Sequence, residues 1–331
     1  MGCAVALVAD IHRGGVIASL VGTHALLTED ERALLAGYIV NNFRGDPALF
    51  ADGVAAIGAR TGLTSLGIWP HTPAANRLPA EDGMGIAGSA ADEARPVVVA
   101  VPVFDRIANF DDLDPLRGDP GVAVRFIPRG TALPGDADLV VLPGSKATRG
   151  DLAVMRAEGW DIDVHAHRRR GGWVLGLCGG YQMLGTRIAD PDGVEGEAGE
   201  TEGLGLLAVE TRLTPSKTLA HTRGRCAATG YSVAGYRMHM GATGGPDAAR
   251  PVLRLDAGED GATSSDGRVM GCYLHGLFAN DGFRAAFLAR LGGRTVETRD
   301  HEAAVEAALD TLADSVETHL HIDAMLEAAD A

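Results

Sequence analysis

The chain has 331 residues, 46% of them apolar and 22% charged, a globular composition far from the disordered class and long enough for two domains. Its formal charge of −15, from 29 basic and 44 acidic residues, disfavours the broad basic surface on which nonspecific binding to nucleic acid or an anionic membrane rests, while allowing one local pocket for a phosphate-bearing substrate. No run approaches the ~20 apolar residues of a membrane-spanning helix, so neither nucleic acid nor membrane is expected as a partner.

In chain order, residues 3–9 form an apolar strand ending at Asp10, without the basic segment or cleavage site of a signal peptide. A helix-capable stretch over about 15–35, broken by Gly22, leads to a strand at 36–40 that reaches Asn41 and Asn42. A third strand, 65–68, reaches Trp69-Pro70. Strands joined by helices predict a parallel sheet covered on both faces. Three strands are too few for an independent nucleotide-binding domain and read as the end of one, with an apolar edge or face left to promote association. Residues 71–94, rich in prolines, small residues and acidic groups, mark a boundary.

A second α/β pattern follows, with strands at 96–102, 122–128 and 137–144, a helical stretch at 151–169 and a strand at 172–177. Runs at 204–211, 231–239, 251–255 and 268–274 predict further strands of a mixed sheet. The segment 301–326 is helical, with Val305, Leu309, Leu312, Val316 and Leu320 spaced to cover a sheet face.

The strongest local signal is Gly176-Leu177-Cys178-Gly179-Gly180, followed by Tyr181-Gln182-Met183-Leu184. A strand, a sharp glycine turn and a helix start expose a nucleophilic side chain above a sheet, and free amides there can hold an oxyanion. A helix N-terminus also favours a thiolate. The plain alternative is a buried core cysteine. Cys3 and Cys272 lie inside apolar runs, and Cys226 has no evident base. The four cysteines form no CxxC pair, which speaks against zinc or a disulfide framework and for a reducing cytoplasm. A metal requirement is left open.

A cysteine nucleophile needs a base. His275, in Tyr273-Leu274-His275-Gly276-Leu277-Phe278, has the best setting, a strand end before glycine. His239, beside Tyr236 in Gly235-Tyr236-Arg237-Met238-His239, is the runner-up and marks a secondary site. Leu142-Pro143-Gly144-Ser145-Lys146 lacks the spacing of a phosphate loop. It reads as a turn aiming the Gly144 amide into the cysteine pocket, or as a purely structural turn.

Together these motifs resemble the cobyric acid synthase family in its class I glutamine amidotransferase portion. The segment from Ile107 to Leu116 is similar to the family's lead into that domain. Upstream, Asp10-Ile11-His12-Arg13-Gly14-Gly15 and Asn41-Asn42-Phe43-Arg44-Gly45-Asp46 resemble its synthetase domain. The resemblance implies an α/β chain with the C-terminal remnant of an ATP-dependent synthetase-type domain over 1–85. A class I glutamine amidotransferase domain over 95–331 would follow, its central mixed sheet covered by helices.

It also implies amidation of adenosylcobyrinic acid a,c-diamide carboxylates in cobalamin biosynthesis. Cys178 and His275 would release ammonia from L-glutamine in a pocket including Gly144, Gly179, Gly180, Tyr181 and Gln182. The glutaminase half would need no cofactor. ATP and Mg2+ would serve the complete synthetase, with Asp10, Arg13, Asn41 and Arg44 in its site. The family's phosphate-binding loop and magnesium-associated acidic region are not in this sequence, so full amidation is expected to depend on a complementary synthetase portion or a homo-oligomer.

His12 stands where the family usually has aspartate, and Arg237 where it has glutamate. No acidic residue stands two positions after His275, where many class I relatives carry glutamate, so a cysteine–histidine dyad is expected. The rival readings are a cobyrinic or hydrogenobyrinic acid a,c-diamide synthase, an ammonia-independent cysteine hydrolase, and a noncatalytic scaffold of the same fold.

Overall fold

In the computed structural model, which describes residues 3–78, 97–292 and 297–330, the first apolar runs become three parallel strands. These are β1 (Val5–Asp10), β2 (Leu35–Phe43) and β3 (Ser65–Pro70), in that spatial order. Parallel neighbours require crossovers, supplied by α1 (Val16–Leu26) and α2 (Ala51–Thr61). Helix α1 runs through Gly22 without a break. The charged end of the expected helical stretch is instead a separate turn, Glu29–Arg32, held by a capping box between Thr28 and Glu31. Val16, Leu20 and Ile57 from the helices pack with Tyr38, Val40 and Phe43 of the sheet. At the edge strand β1, Val5 and Val8 are 40% and 61% exposed.

The chain forms two compact units, and this sheet belongs to the first, made of the residues up to Leu78 and those from Ala303 onward. The expected boundary region lies largely outside the described residues. The second unit is built on a six-stranded sheet. Its strands β4 (Val97–Pro102), β5 (Val122–Ile127), β6 (Leu139–Leu142) and β7 (Trp173–Leu177) are parallel. They read as continuous apolar runs because helices cover a parallel sheet on both faces; β4 and β6 are buried at every position. The expected 151–169 helix is two helices, α3 (Thr148–Ala157) and α4 (Trp160–Arg169), parted at Gly159 with φ +76°. A short helix α5 (Gly179–Leu184) follows β7.

The later runs do not all extend this sheet. A second, mostly antiparallel sheet contains the long hairpin β8 (Glu210–Cys226) and β9 (Ser232–Gly244), with Leu253–Leu255 paired to β8. Residues 204–209 lie outside any strand. Only β10 (Val269–Cys272), parallel to β7, and Ala262–Thr263, antiparallel to β10, join the main sheet, which makes it mixed. After Cys272 the chain crosses to the other sheet as β11 (Leu274–His275), pairing with β9. Period-two apolar patterns look alike in both sheets, so the sequence left this crossing unseen.

Helix α6 (Asp281–Gly292) closes the second unit through a buried ion pair, Arg284 Nε to Asp119 Oδ2 at 2.8 Å. The last helices, α7 (His301–His319) and α8 (Ile322–Asp330), return to the first unit. Val316, Leu320, Ile322 and Met325 pack with Ile39, Leu66 and Trp69, and Trp69 Nε1 donates to Ser315 Oγ at 2.9 Å. The second unit therefore ends near residue 302, short of the 95–331 span expected for it, because the apolar stripe of 301–326 fits the first sheet. Leu309, counted in that stripe, is 44% exposed. Among the described residues, no helix is long and apolar enough to cross a membrane.

Candidate active site

Cys178 sits where β7 stops, its N–H donating to Cys272 O of β10 at 2.9 Å. Its φ of +49° and ψ of −108° are sterically costly for a residue with a Cβ. Close packing imposes this conformation. A Cβ on Gly180 would collide with the Leu142 carbonyl, and one on Gly179 would lie 2.9 Å from Ser145 N. Two glycines thus let the start of α5 press against the end of β6, leaving the sulfur partly exposed. Sγ donates to Met238 O at 3.2 Å.

The wall beside Gly179 is the Gly144–Ser145 segment, paired antiparallel with Ile107–Ala108. A Cβ on Gly144 would approach Ala108 O to 2.8 Å. Ser145 Oγ donates to Asp151 Oδ2 at 2.5 Å, which fixes the turn, and Ser145 N is the amide that lies against Gly179.

His275 ends β11 opposite Tyr236. Its Nδ1 donates to Asp112 Oδ2 at 2.7 Å, and Gly276 N donates to Asp112 Oδ1 at 2.6 Å. The two side chains are 1% and 3% exposed. The Tyr236 ring stacks on the imidazole, with centroids 5.1 Å apart, and its hydroxyl accepts from Asn109 Nδ2 at 2.9 Å. Burial opposes a charged imidazole. The Asp112 carboxylate, then the Cys178 sulfur, outweigh it and raise the His275 pKa to about 10. Nε2 is buried without a hydrogen bond of normal geometry, and the Cys178 side chain is the second group after Asp112 that favours its protonation.

The dyad expectation is thereby corrected. An acidic partner for the imidazole exists, and it comes from the connection between β4 and β5. The signal was the acidic run Asp111-Asp112-Leu113-Asp114 inside a stretch already singled out.

A CobB/CobQ-like glutamine amidotransferase domain matches residues 98–283. The chain is 58% identical to a cobyric acid synthase of Methylobacterium nodulans, over 99% of this chain and 68% of that protein. It is 52% identical to one of Cereibacter sphaeroides, with the same shares. The chain belongs to the cobyric acid synthase family. It is a glutamine amidotransferase-type enzyme of cobalamin biosynthesis, as the resemblance implied. A solved glutamine amidotransferase is 15% identical over 59% of this chain and 99% of its own, with a TM-score of 0.42.

Other expected residues of this family member are spread around Cys178. Gln182 is buried one helical turn on, accepting from Thr148 Oγ1 at 3.0 Å and donating to Tyr273 OH at 3.2 Å. Tyr181 is 2% exposed and packs its ring on Tyr273, so it serves as core. His239 stacks on Tyr273 with centroids 4.0 Å apart. Its Nδ1 donates to Gly241 O at 2.9 Å, a tautomer that leaves Nε2 to accept from Arg237 Nη2 at 3.2 Å. Burial, then Arg237, lowers its pKa, so this ring stays neutral. His239 is tied up in that network, whereas His275 faces the sulfur.

In the first unit, the expected residues gather at the C-terminal ends of the parallel strands, where ligands bind in such sheets. Asp10 accepts from His12 N at 2.6 Å and from Asn42 Nδ2 at 3.2 Å. Asn41 Oδ1 accepts from Asn42 N at 2.7 Å. His71 Nδ1 donates to Asn42 Oδ1 at 2.8 Å, and Arg44 Nη2 donates to His71 Nε2 at 3.4 Å. Arg13 is exposed and joins no hydrogen bond of this chain of contacts. Asn42, at φ +63°, and His71 were missed as members; the position of His71 just past a strand end was the available signal.

Proposed function

We propose that the second unit hydrolyses L-glutamine at Cys178 and that the ammonia serves amidation of peripheral carboxylates of adenosylcobyrinic acid a,c-diamide. The observation that carries this reading is the backbone-strained Cys178 beside an imidazole fixed by Asp112. Cys178 gives its Sγ proton to Nε2 of His275, and the thiolate so formed adds to the side-chain amide carbon, forming a C–S bond. The amides of Ser145 and Gly179 flank the developing oxyanion. The Nε2 proton of His275 passes to the leaving nitrogen, the C–N bond breaks, and ammonia departs. Neutral Nε2 then takes a proton from water as its oxygen attacks the thioester. The thiolate leaves, L-glutamate is released, and the acid proton passes to solvent.

For the complete reaction, the resemblance implies ATP and Mg2+. Among the described residues, no group of three His, Cys, Asp or Glu side chains is placed to hold a metal ion. Asp10 is already engaged by His12 N and Asn42. These residues do not by themselves form a magnesium site. The ATP-dependent step belongs to the synthetase portion, to which the first unit would contribute Asp10, Asn41 and Arg44. All four cysteines are free, and a thiol nucleophile suits a reducing cytoplasm.

The test is glutamate release from L-glutamine by the chain and by Cys178→Ala. Release that disappears in the variant supports the reading. A folded wild-type chain that releases none, with or without corrinoid and ATP, overturns it.

A further inference from the structure

The strand that touches the nucleophile carries an unusual cation. Met238 O lies 3.2 Å from Cys178 Sγ, and the residues on either side of Met238 are Arg237 and His239. The contact to His239 uses one of the five guanidinium donors of Arg237. Arg237 Nε is buried without a hydrogen-bond partner. The nearest carboxylate, Asp260, is 3.9 Å away, beyond hydrogen-bond range. Its other oxygen accepts from Tyr273 N at 3.0 Å. A buried donor left unpaired is uncommon and costly, which marks a place for an acceptor from outside the chain.

Glutamine brings such an acceptor. With its amide carbon at the sulfur, its α-carboxylate lies four bonds away, roughly 5 Å. Neighbouring residues on a strand are about 3.3 Å apart, so a side chain flanking Met238 is at the right range. We propose that Arg237, oriented by His239, binds the α-carboxylate of L-glutamine and makes the enzyme select an α-amino acid over a simple amide. This inference rests on the glutaminase reading of the same site. The neutral state of His239 suits it, since Nε2 must accept from the guanidinium to hold the fork in place. An arginine fork matches a carboxylate in two parallel hydrogen bonds.

The competing account is a structural role, with Arg237 only neutralising Asp260. Calorimetry on Cys178→Ala protein, which cannot turn over, separates the two. Adding Arg237→Gln is expected to weaken L-glutamine binding about 10- to 100-fold, the loss typical of a charge-assisted hydrogen-bonded pair. 4-Aminobutanamide, which has the amide and the amine but no carboxylate, is expected to lose far less. In turnover, the kcat/KM preference for glutamine over that amide falls by the same factor in Arg237→Gln and is partly kept in Arg237→Lys. Asp260→Asn keeps the preference.

Unchanged glutamine binding in Arg237→Gln overturns the proposal. So does parallel weakening of both ligands, or an Asp260→Asn protein that behaves like Arg237→Gln. Wild-type protein that releases no glutamate removes the glutaminase reading instead, while calorimetry still reports whether Arg237 senses the carboxylate.

Discussion

Asp112 and His275 are 163 residues apart in sequence and share a hydrogen bond of 2.7 Å, while the second Asp112 oxygen takes the Gly276 N–H. One carboxylate therefore fixes the ring, its Nδ1–H tautomer and the backbone next to it. Asp112→Asn keeps an acceptor for Nδ1–H but removes the charge that holds the imidazolium. Glutamate release is expected to fall by about one to three orders of magnitude in kcat. The alkaline limb of its pH profile, and the His275 pKa read by NMR, should both move down. An unchanged ring pKa in the variant would contradict the arrangement.

The same pair links stability to pH. The folded pKa of His275 is raised to about 10, above the ~6.5 of an unfolded histidine. The protonated pair thus stabilises fully below about pH 6.5, and its contribution is lost as pH rises through about 10. The amount is on the order of 3–5 kcal/mol at most. Urea midpoints between pH 6.5 and 9.5 should drop more steeply for wild type than for His275→Gln. Equal slopes would show that the pair adds nothing. The lowered pKa of His239 has the opposite sign, with stability lost as pH falls below about 6.5.

The candidate nucleophile was legible because the chemistry proposed for it needs a local pattern: Cys178 beside glycines at the end of an apolar run. The parallel strands were legible for a similar reason, since β4 and β6 are buried on both faces and read as unbroken apolar runs. Asp112 was not, because what brings it to His275 is the fold of two segments far apart in sequence. The split of 268–275 between two sheets was equally hidden, as Val269–Cys272 and Leu274–His275 form one apolar run. The last helices announced their periodicity but not their partner. A stripe of Val and Leu does not say which sheet it will cover.

Cys178 has a φ of +49°, a conformation that glycine adopts without steric cost. Cys178→Gly should abolish glutamate release and yet stabilise the protein, by about 0.5–2 kcal/mol after the added flexibility of the unfolded chain is set against the relieved strain. Cys178→Ala, which keeps the Cβ, should lack this gain. Thermal midpoints of the three proteins decide the matter. A glycine variant no more stable than the alanine one would show that the backbone there is relaxed.

Gly67 and Gly58 offer a paired test of the first unit. Gly67 has φ +132°, and a Cβ there would strike His319 O and Leu320, the residues that bridge α7 to β3. Gly58 lies inside α2, where the nearest atom to an added Cβ is Leu63 O at 3.8 Å, an ordinary contact. Gly58→Ala should therefore stabilise by about 0.5–1 kcal/mol through helix propensity alone. Gly67→Ala should destabilise by about 2–4 kcal/mol, since neither the backbone angle nor the packing admits the methyl group. Hydrogen exchange gives the local readout. Amides of 303–330 should lose protection in Gly67→Ala and keep it in Gly58→Ala, whereas full protection in both would mean that the last helices do not depend on this close approach.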